Sequence, residues 1–177
     1  MLLINCKLYF AKYFSLENKE SSLKNENCDF KEIEKEIRGD SLEPVIKNGQ
    51  KIKILDGYYN CNNVNRDDTI IYKYGEDLLI KIVKGLPGDK IKLVKNNKNN
   101  NEWNILINGE ILKNSEGKNY KVDQIGYNIL SLYINDYGGV IPAESYLILS
   151  NNPEMAVDSR RFGFVGKIDF IGKVVKN

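Results

Sequence analysis

Residues 39–44 read Gly-Asp-Ser-Leu-Glu-Pro and lie just before the first alternating apolar run of the chain. The turn-forming Gly-Asp pair and the stiff proline place Ser41 in a tight turn. Gly49 then leads into residues 51–55, where apolar and polar side chains alternate as in a β-strand. This arrangement presents Ser41 at the edge of a sheet, where its hydroxyl is available for chemistry. Taken alone, the six residues also fit a surface turn with an incidental serine.

A nucleophilic serine needs a base, and this chain contains no histidine. A Ser-His-Asp triad, a Cys-His pair and a HExxH zinc site are therefore excluded. Lysine is the remaining common base. At its ordinary pKa of about 10.4 a lysine is neutral in roughly one molecule in 2,500 at pH 7, so it can act only where burial disfavours its charge.

Residues 78–83 read Leu-Leu-Ile-Lys-Ile-Val, an apolar run with a single charge. In an extended chain Lys81 shares a face with Leu79 and Val83, and the other face is also apolar. We therefore predict a buried Lys81 whose amine has a lowered pKa and can accept a proton from Ser41. The alternative is an edge strand from which Lys81 extends to solvent.

Length and composition restrict the classes of protein. The 177 residues suffice for one domain with a proper core. A net charge of +2 does not indicate a nucleic-acid partner, and none is predicted. The three cysteines, Cys6, Cys28 and Cys61, lack CxxC spacing, so free thiols are predicted and no metal site is.

Two regions differ in character along the chain. Residues 1–35 are predicted to form a leader that is weakly structured or a short helix, and residues 36–177 a catalytic domain. No run of about 20 apolar residues is present, so no bilayer-spanning segment is predicted. Regularly spaced β-type runs indicate an all-β domain, mainly of antiparallel sheets, with Asn108 and Gly109 as a hairpin turn. The predicted strands cover 51–55, 69–74, 78–83, 90–94, 103–107, 127–134, 145–150 and 162–175.

Four short blocks occur in order along the chain: residues 39–44, Gly-Leu-Pro-Gly-Asp at 85–89 four residues after Lys81, Ile-Asn-Gly-Glu at 107–110, and Asp-Ser-Arg-Arg-Phe-Gly at 158–163. With these blocks the chain resembles the type I signal peptidase family of Ser-Lys proteases, from about residue 36 to its end. Each block alone is weak evidence for the family, but four blocks at compatible spacing are specific evidence.

The resemblance implies a role for several residues. Ser41 corresponds to the nucleophile and Lys81 to the general base. Ile37 and Ile80 match positions that line shallow pockets for small substrate residues, and the family binds its substrate as an extended strand between them.

The remaining site residues implied by the resemblance support the chemistry. Gly39 and Asp40 form the turn beside the oxyanion site, where backbone N–H groups act. Asp158 and Arg160 match an ion pair that holds the last block, with Ser159 between them, beside the lysine. No metal or organic cofactor is implied.

The implied function is cleavage of signal peptides from exported precursor proteins after small residues, in an Ala-x-Ala-like pattern. Relatives that process pilins in conjugative transfer belong to the same family. The implied location is the membrane surface on the extracytoplasmic face. Two alternatives stay open: a catalytically weak or inactive relative that binds exported peptides, and a self-cleaving Ser-Lys protease of the SOS-repressor type.

Some positions depart from the family pattern. Ala156 stands where the family often has a serine that orients the lysine, so Lys81 is expected to be held less firmly. Asn151 and Ile82 replace an aspartate and an arginine that pair with each other in the family. Because both members change together, no buried charge is left without its partner.

Overall fold

The computed structural model describes residues 29–97, 99, 101–152 and 157–176. Within these ranges the prediction of mainly antiparallel sheets is confirmed. The α-helices are α1 Gln124–Asp136 and α2 Ser159–Phe162, and short 3-10 helices cover Tyr58–Asn60 and Lys167–Asp169. The strands are β1 Lys31–Glu36, β2 Lys51–Asp56, β3 Thr69–Tyr74, β4 Asp77–Gly85, β5 Ile91–Lys95, β6 Trp103–Ile107, β7 Glu110–Ile111, β8 Lys121–Val122, β9 Ser145–Leu149, β10 Val165–Gly166 and β11 Phe170–Lys176.

The larger sheet has seven strands in the order β1-β2-β11-β3-β4-β9-β10. Strand β4 lies inside this sheet, with β3 on one side and β9 on the other. Its side chains alternate between two apolar clusters: Leu79 and Val83 pack in one, and Ile80 and Ile82 in the other. Lys81 therefore shares the face of Leu79 and Val83, as predicted from the alternation.

The smaller sheet contains β5, β6, β7 and β8. The β6–β7 hairpin turns at Asn108 and Gly109, which both have positive φ, 52° and 90°. This is the Asn-Gly turn that matches the twist of paired strands, as predicted. A third apolar cluster, including Ile105, Leu130 and Leu147, joins this sheet to α1 and β9.

Residues 127–134 are helical, so the predicted strand there is wrong. Helix α1 is capped by the Asp123 side chain, which accepts a hydrogen bond of 2.9 Å from the Gly126 N–H. Tyr127, Leu130 and Ile134 then recur at helical spacing and pack in the third cluster. The strand prediction considered only the alternation of the apolar residues and did not take this helix cap into account.

The predicted strand over residues 162–175 is also only partly right. Helix α2 occupies its beginning, and β11 starts at Phe170. Gly163 follows α2 with a φ of 86°, a backbone conformation that side-chain-bearing residues rarely adopt, and β10 and a 3-10 helix lie between it and β11. This turn ends α2 and redirects the chain toward the sheet.

At the other end, β1 begins at Lys31, inside the stretch assigned to the leader. Its sequence, Lys-Glu-Ile-Glu-Lys-Glu, has one apolar residue because β1 is an edge strand of the sheet. The predicted leader helix lies outside the described residues.

Cys61 is disulfide-bonded, so the prediction of a free thiol is wrong at this position. Its partner lies outside the described residues. Cysteine spacing along the chain does not reveal which thiols meet in the fold, so the spacing did not predict this bond.

Candidate active site

The turn that carries Ser41 is held from several sides. The Glu43 N–H donates to the Asp40 carbonyl at 3.0 Å and closes the turn. Gly39 has a φ of 99°, and its N–H donates to Asn48 Oδ1 at 3.1 Å. Leu42 is buried with Ile80 and Ile82 in the second apolar cluster. The turn is therefore packed against β4, and it leaves Ser41 half-buried.

Lys81 is buried, with 4% of its surface exposed. Its Nζ donates to the Ile80 carbonyl at 3.1 Å. Burial lowers the pKa of Lys81, the nearby Asp158 carboxylate opposes this effect, and the Arg160 guanidinium reinforces it. More of the neutral amine is consequently present at neutral pH than on a solvated lysine.

Ser41 and Lys81 line the same cleft, whose volume is about 670 Å³. Ile37, Gly39 and Ile80 also line it. The structure thus brings together five of the residues that the sequence singled out. Asp40 lies in the turn on the exposed surface, and its carbonyl closes the turn.

On the side of β9, no described residue pairs with β4 before Ile82 along this cleft. The β4–β9 ladder runs from Ile82 opposite Leu149 to Gly85 opposite Leu147. Ile80 and Lys81 precede that ladder and pair with β3 on their other side. The backbone beside Lys81 can therefore pair with an extended peptide, as sheet edges do.

The Asp158 block forms a buried ion pair behind Lys81. The Arg160 guanidinium donates to Asp158 from Nε to Oδ1 at 2.9 Å and from a terminal nitrogen to Oδ2 at 2.7 Å, and the Arg160 backbone N–H donates to Oδ1 at 3.1 Å. Asp158 is fully buried and Arg160 is 6% exposed. Ser159 Oγ accepts the Ile148 N–H of β9 at 2.9 Å. These three residues fasten the block to the strand next to β4.

The segment after β9 links this block to the Ser41 turn. Ser150 donates to Asp158 Oδ2 through its N–H and its hydroxyl, both at 3.0 Å. The Asn152 N–H donates to the Ser41 carbonyl at 3.0 Å. Sequence reasoning did not single out Ser150 or Asn152, since polar residues after an apolar strand resemble an ordinary loop.

The family model described as "Signal peptidase, peptidase S26" matches residues 30–176 of this chain. The chain belongs to the signal peptidase family. This range contains Ser41, Lys81 and Asp158, which the fold gathers around one cleft or directly behind it. Membership favours the signal peptidase interpretation over the SOS-repressor alternative.

The relatives and solved structures similar to this chain include other signal peptidases. Signal peptidase IB of Staphylococcus aureus strain COL is 29% identical over 144 residues, which cover 78% of this chain and 73% of that protein. The probable signal peptidase I-2 of Synechocystis sp. is 25% identical over 146 residues, 77% of this chain and 58% of that protein. A crystal structure of a signal peptidase I from Enterococcus faecalis is 22% identical, with a TM-score of 0.45, and covers 64% of this chain and 98% of that chain.

As a member of the signal peptidase family, the chain is a serine endopeptidase. Exported precursor proteins are the substrates that this family processes. Neither α1 nor any other helix in the described ranges has the length and apolar composition needed to cross a membrane. The same ranges hold no cluster of three or more His, Cys, Asp or Glu side chains suited to a metal ion.

Two of the family blocks meet at Asp89. Its carboxylate accepts from the Leu86 N–H at 2.6 Å, from Asn108 Nδ2 at 2.8 Å and from Arg66 at 2.8 Å. Burial alone would raise the pKa of Asp89, but these donors together hold it below its ordinary value. The Gly-Leu-Pro-Gly-Asp and Ile-Asn-Gly-Glu blocks thus join the two sheets of the signal peptidase domain. Ala156, the main departure from the family pattern, lies outside the described residues.

Proposed function

We propose that this chain cleaves signal peptides with Ser41 as nucleophile and Lys81 as general base. The observation that carries the proposal is the shared cleft, in which a half-buried serine and a buried lysine of lowered pKa lie together. A lysine in this state supplies the base that a chain without histidine needs.

The reaction is an acyl transfer in two stages. Ser41 Oγ attacks the scissile carbonyl while Lys81 Nζ takes its proton, and the protonated amine then delivers that proton to the departing amino group. Lys81, neutral again, activates water to release the acyl group from Ser41. Because the Gly39 N–H is bonded to Asn48, the oxyanion donors are other backbone N–H groups of the turn, and Gly39 contributes the positive φ.

The substrate is an extended peptide that pairs with the edge of β4 beside Lys81, where no described residue occupies the β9 side. Backbone hydrogen bonds next to Ile80 and Lys81 supply affinity that does not depend on sequence. Ile37, which is buried, and Ile80, which is half-buried, border the cleft and limit the side chains that fit. Small residues in an Ala-x-Ala-like pattern are the expected specificity.

Cleavage takes place at a membrane surface on the extracytoplasmic face. The disulfide at Cys61 fits an oxidising compartment. Leu78 lines the cleft and is 47% exposed, and Tyr74, on the neighbouring strand, is 41% exposed. Such apolar side chains suit contact with lipid at the site where a signal peptide leaves the bilayer.

The test is cleavage of a precursor with an Ala-x-Ala site in detergent micelles, by the natural chain, Ser41→Ala and Lys81→Met. We expect the natural chain to cut after the second alanine and both variants to lose at least about 10³-fold in kcat. Lys92→Met, which removes an exposed lysine of β5, is the matched control and keeps full activity. Cleavage by Ser41→Ala at the natural rate would refute the proposal.

A further inference from the structure

Asn151, which directly follows Ser150, uses its whole side-chain amide in hydrogen bonds. It is fully buried. Its Nδ2 donates to the Glu43 carbonyl at 2.7 Å and to Ser115 Oγ at 2.9 Å, and its Oδ1 accepts the Ser115 N–H at 3.0 Å. A carbonyl only accepts and an N–H only donates, so these partners determine which way the amide points.

These contacts place Asn151 between the Ser41 turn and the smaller sheet. Glu43 lies two residues after Ser41 in the turn, and Ser115 lies in the connection between β7 and β8. The next residue, Asn152, holds the Ser41 carbonyl itself. Two consecutive residues therefore bind the turn at two carbonyls and tie it to a second part of the fold.

The same segment continues from the strand beside Lys81. Leu149, the last residue of β9, pairs with Ile82 of β4. Ser150 then bonds to Asp158, whose carboxylate acts on the pKa of Lys81. We propose that Asn151 is a positioning residue that sets the place of Ser41 relative to Lys81, an inference that rests on the proposed function of these two residues.

An Asn151→Asp exchange separates this role from general packing. The aspartate keeps nearly the same shape, and one of its oxygens still accepts the Ser115 N–H. The Ser115 hydroxyl can rotate and donate to the other oxygen. The Glu43 carbonyl, however, loses its donor and faces a carboxylate oxygen instead, so the exchange breaks the contact with the turn. It also buries a carboxylate without a cationic partner, since Ile82 stands where the family has an arginine, so a second buried Asn→Asp variant is needed to measure that cost.

The first measurement is the pH dependence of kcat and KM for micellar precursor cleavage by Asn151→Asp. We expect kcat to fall about 10- to 100-fold, the effect of moving a reacting group by roughly 1 Å, and KM to change less than about threefold. Any change in the pH at which activity rises should be toward higher pH, because the new carboxylate follows Ser150 beside Asp158 and would favour the protonated form of Lys81, as Asp158 does. An unchanged kcat at the pH of maximal activity, or a loss carried by KM instead of kcat, would overturn the proposal.

Two controls address folding and the Ser115 contact. Asn104→Asp introduces a carboxylate at another buried asparagine, in β6, and keeps the acceptor for Asn119. Ser115→Ala removes one partner of the Asn151 amide and leaves its bond to Glu43. Both controls should retain kcat within about twofold, since neither reaches the turn. An equal loss in Asn104→Asp would contradict a positioning role.

Amide hydrogen exchange tests the contact without any activity. The Glu43 and Ile46 N–H groups, bonded to Asp40 and Leu42 within the turn, should exchange at least about tenfold faster in Asn151→Asp, with the β3 amides unchanged. Unchanged exchange in the turn would refute the proposal. If the natural chain cleaves no precursor, the proposed function fails, and the exchange result alone decides whether Asn151 holds the turn.

Discussion

At the scale of single residues, the site depends on a charge that the fold disfavours. Lys81 lies on an apolar face of β4, and its burial is the main cause of its lowered pKa. A lysine on this face could keep its ammonium group hydrated only by extending it to solvent. The property that makes Lys81 useful as a base therefore reduces the stability of the folded chain.

Replacing Lys81 by methionine should stabilise the protein at neutral pH. The folded-state pKa is lower than the unfolded one, so the natural chain gains stability as the pH rises from the folded to the unfolded pKa. Methionine removes the penalty, about 1.4 kcal/mol for each unit by which the folded pKa is lowered. Urea unfolding at pH 7 and above pH 10.5 measures the difference in the free energy of unfolding between Lys81→Met and the natural chain. This difference should disappear at high pH. An equal gain in Lys92→Met would contradict this account.

The Asp158–Arg160 ion pair offers a second prediction. Asp158→Asn leaves the Arg160 charge buried with a neutral partner and should destabilise the fold by about 3 to 5 kcal/mol. The matched control is Asp123→Asn, which breaks an ion pair with Arg161 that is about half exposed on both sides. Asparagine also caps helices well, so that change should cost less than about 1 kcal/mol. A similar loss of stability in Asp158→Asn and Asp123→Asn would contradict the expectation that the buried ion pair matters more than the exposed one.

At the scale of elements, the end of β4 is shaped by a residue without a side chain. A Cβ at Gly85 would lie 2.5 Å from Ile141 Cδ1 and 2.9 Å from Leu147 Cβ. The pairing of β4 with β9 shifts register between Val83 and Gly85. The glycine of the Gly-Leu-Pro-Gly-Asp block thus allows β9 to approach β4 closely, and this fixes the strand that carries Lys81.

Gly85→Ala should therefore destabilise the domain by about 1 to 3 kcal/mol through overpacking. Gly166→Ala is the matched control, because its φ is −75° and the nearest side-chain atom to a new Cβ is 3.5 Å away. Thermal unfolding followed by circular dichroism compares the two. If Gly85→Ala unfolds at the same temperature as the natural chain, β9 can move away from β4 without a loss of stability.

At the scale of the whole molecule, Asp89 couples the two sheets. It contacts the end of β4 through Leu86, the β6–β7 turn through Asn108, and the loop before β3 through Arg66. Because its folded pKa is lowered, its contribution to stability is present above the unfolded pKa of about 3.9 and is lost as the pH falls through the folded value.

Asp89→Asn should lower stability at pH 7 by about 1.5 to 3 kcal/mol, the range for hydrogen bonds to charged groups. The difference from the natural chain should begin to shrink below the unfolded pKa of about 3.9, where the unfolded chain takes up a proton at this carboxyl, and continue to shrink until the folded carboxyl is protonated too. Urea unfolding at pH 7 and pH 3 provides the comparison. A difference that stays constant with pH would show that the charge of Asp89 is not the cause.

Much of the fold followed from local patterns, and the exceptions have physical reasons. The faces of β4 and the Asn108-Gly109 hairpin were predictable because strand alternation and turn chemistry are local properties. Helix α1 was missed because its apolar residues fit either period and only the Asp123 cap decides between them. Strand β1 was missed because an edge strand can consist of charged residues with a single apolar one, here Ile33.

The site shows the same division. Ser41 and Lys81 were recognisable because a nucleophile needs a base and the chain has no histidine. Asn151 and Asn152 bond to residues more than 100 positions away in the sequence, Glu43 and Ser41, so no local pattern identifies these contacts. Long-range hydrogen bonds of this kind become visible only in the folded structure.

The most direct test of the central claim is the pH dependence of kcat/KM for precursor cleavage by the natural chain between pH 6 and pH 10. The account predicts activity that rises with pH through a single ionisation below the ordinary lysine pKa of about 10.4, because burial favours the neutral Lys81 amine. A flat profile, or a rise only at the pKa of a solvated lysine, would contradict the assignment of Lys81 as the base.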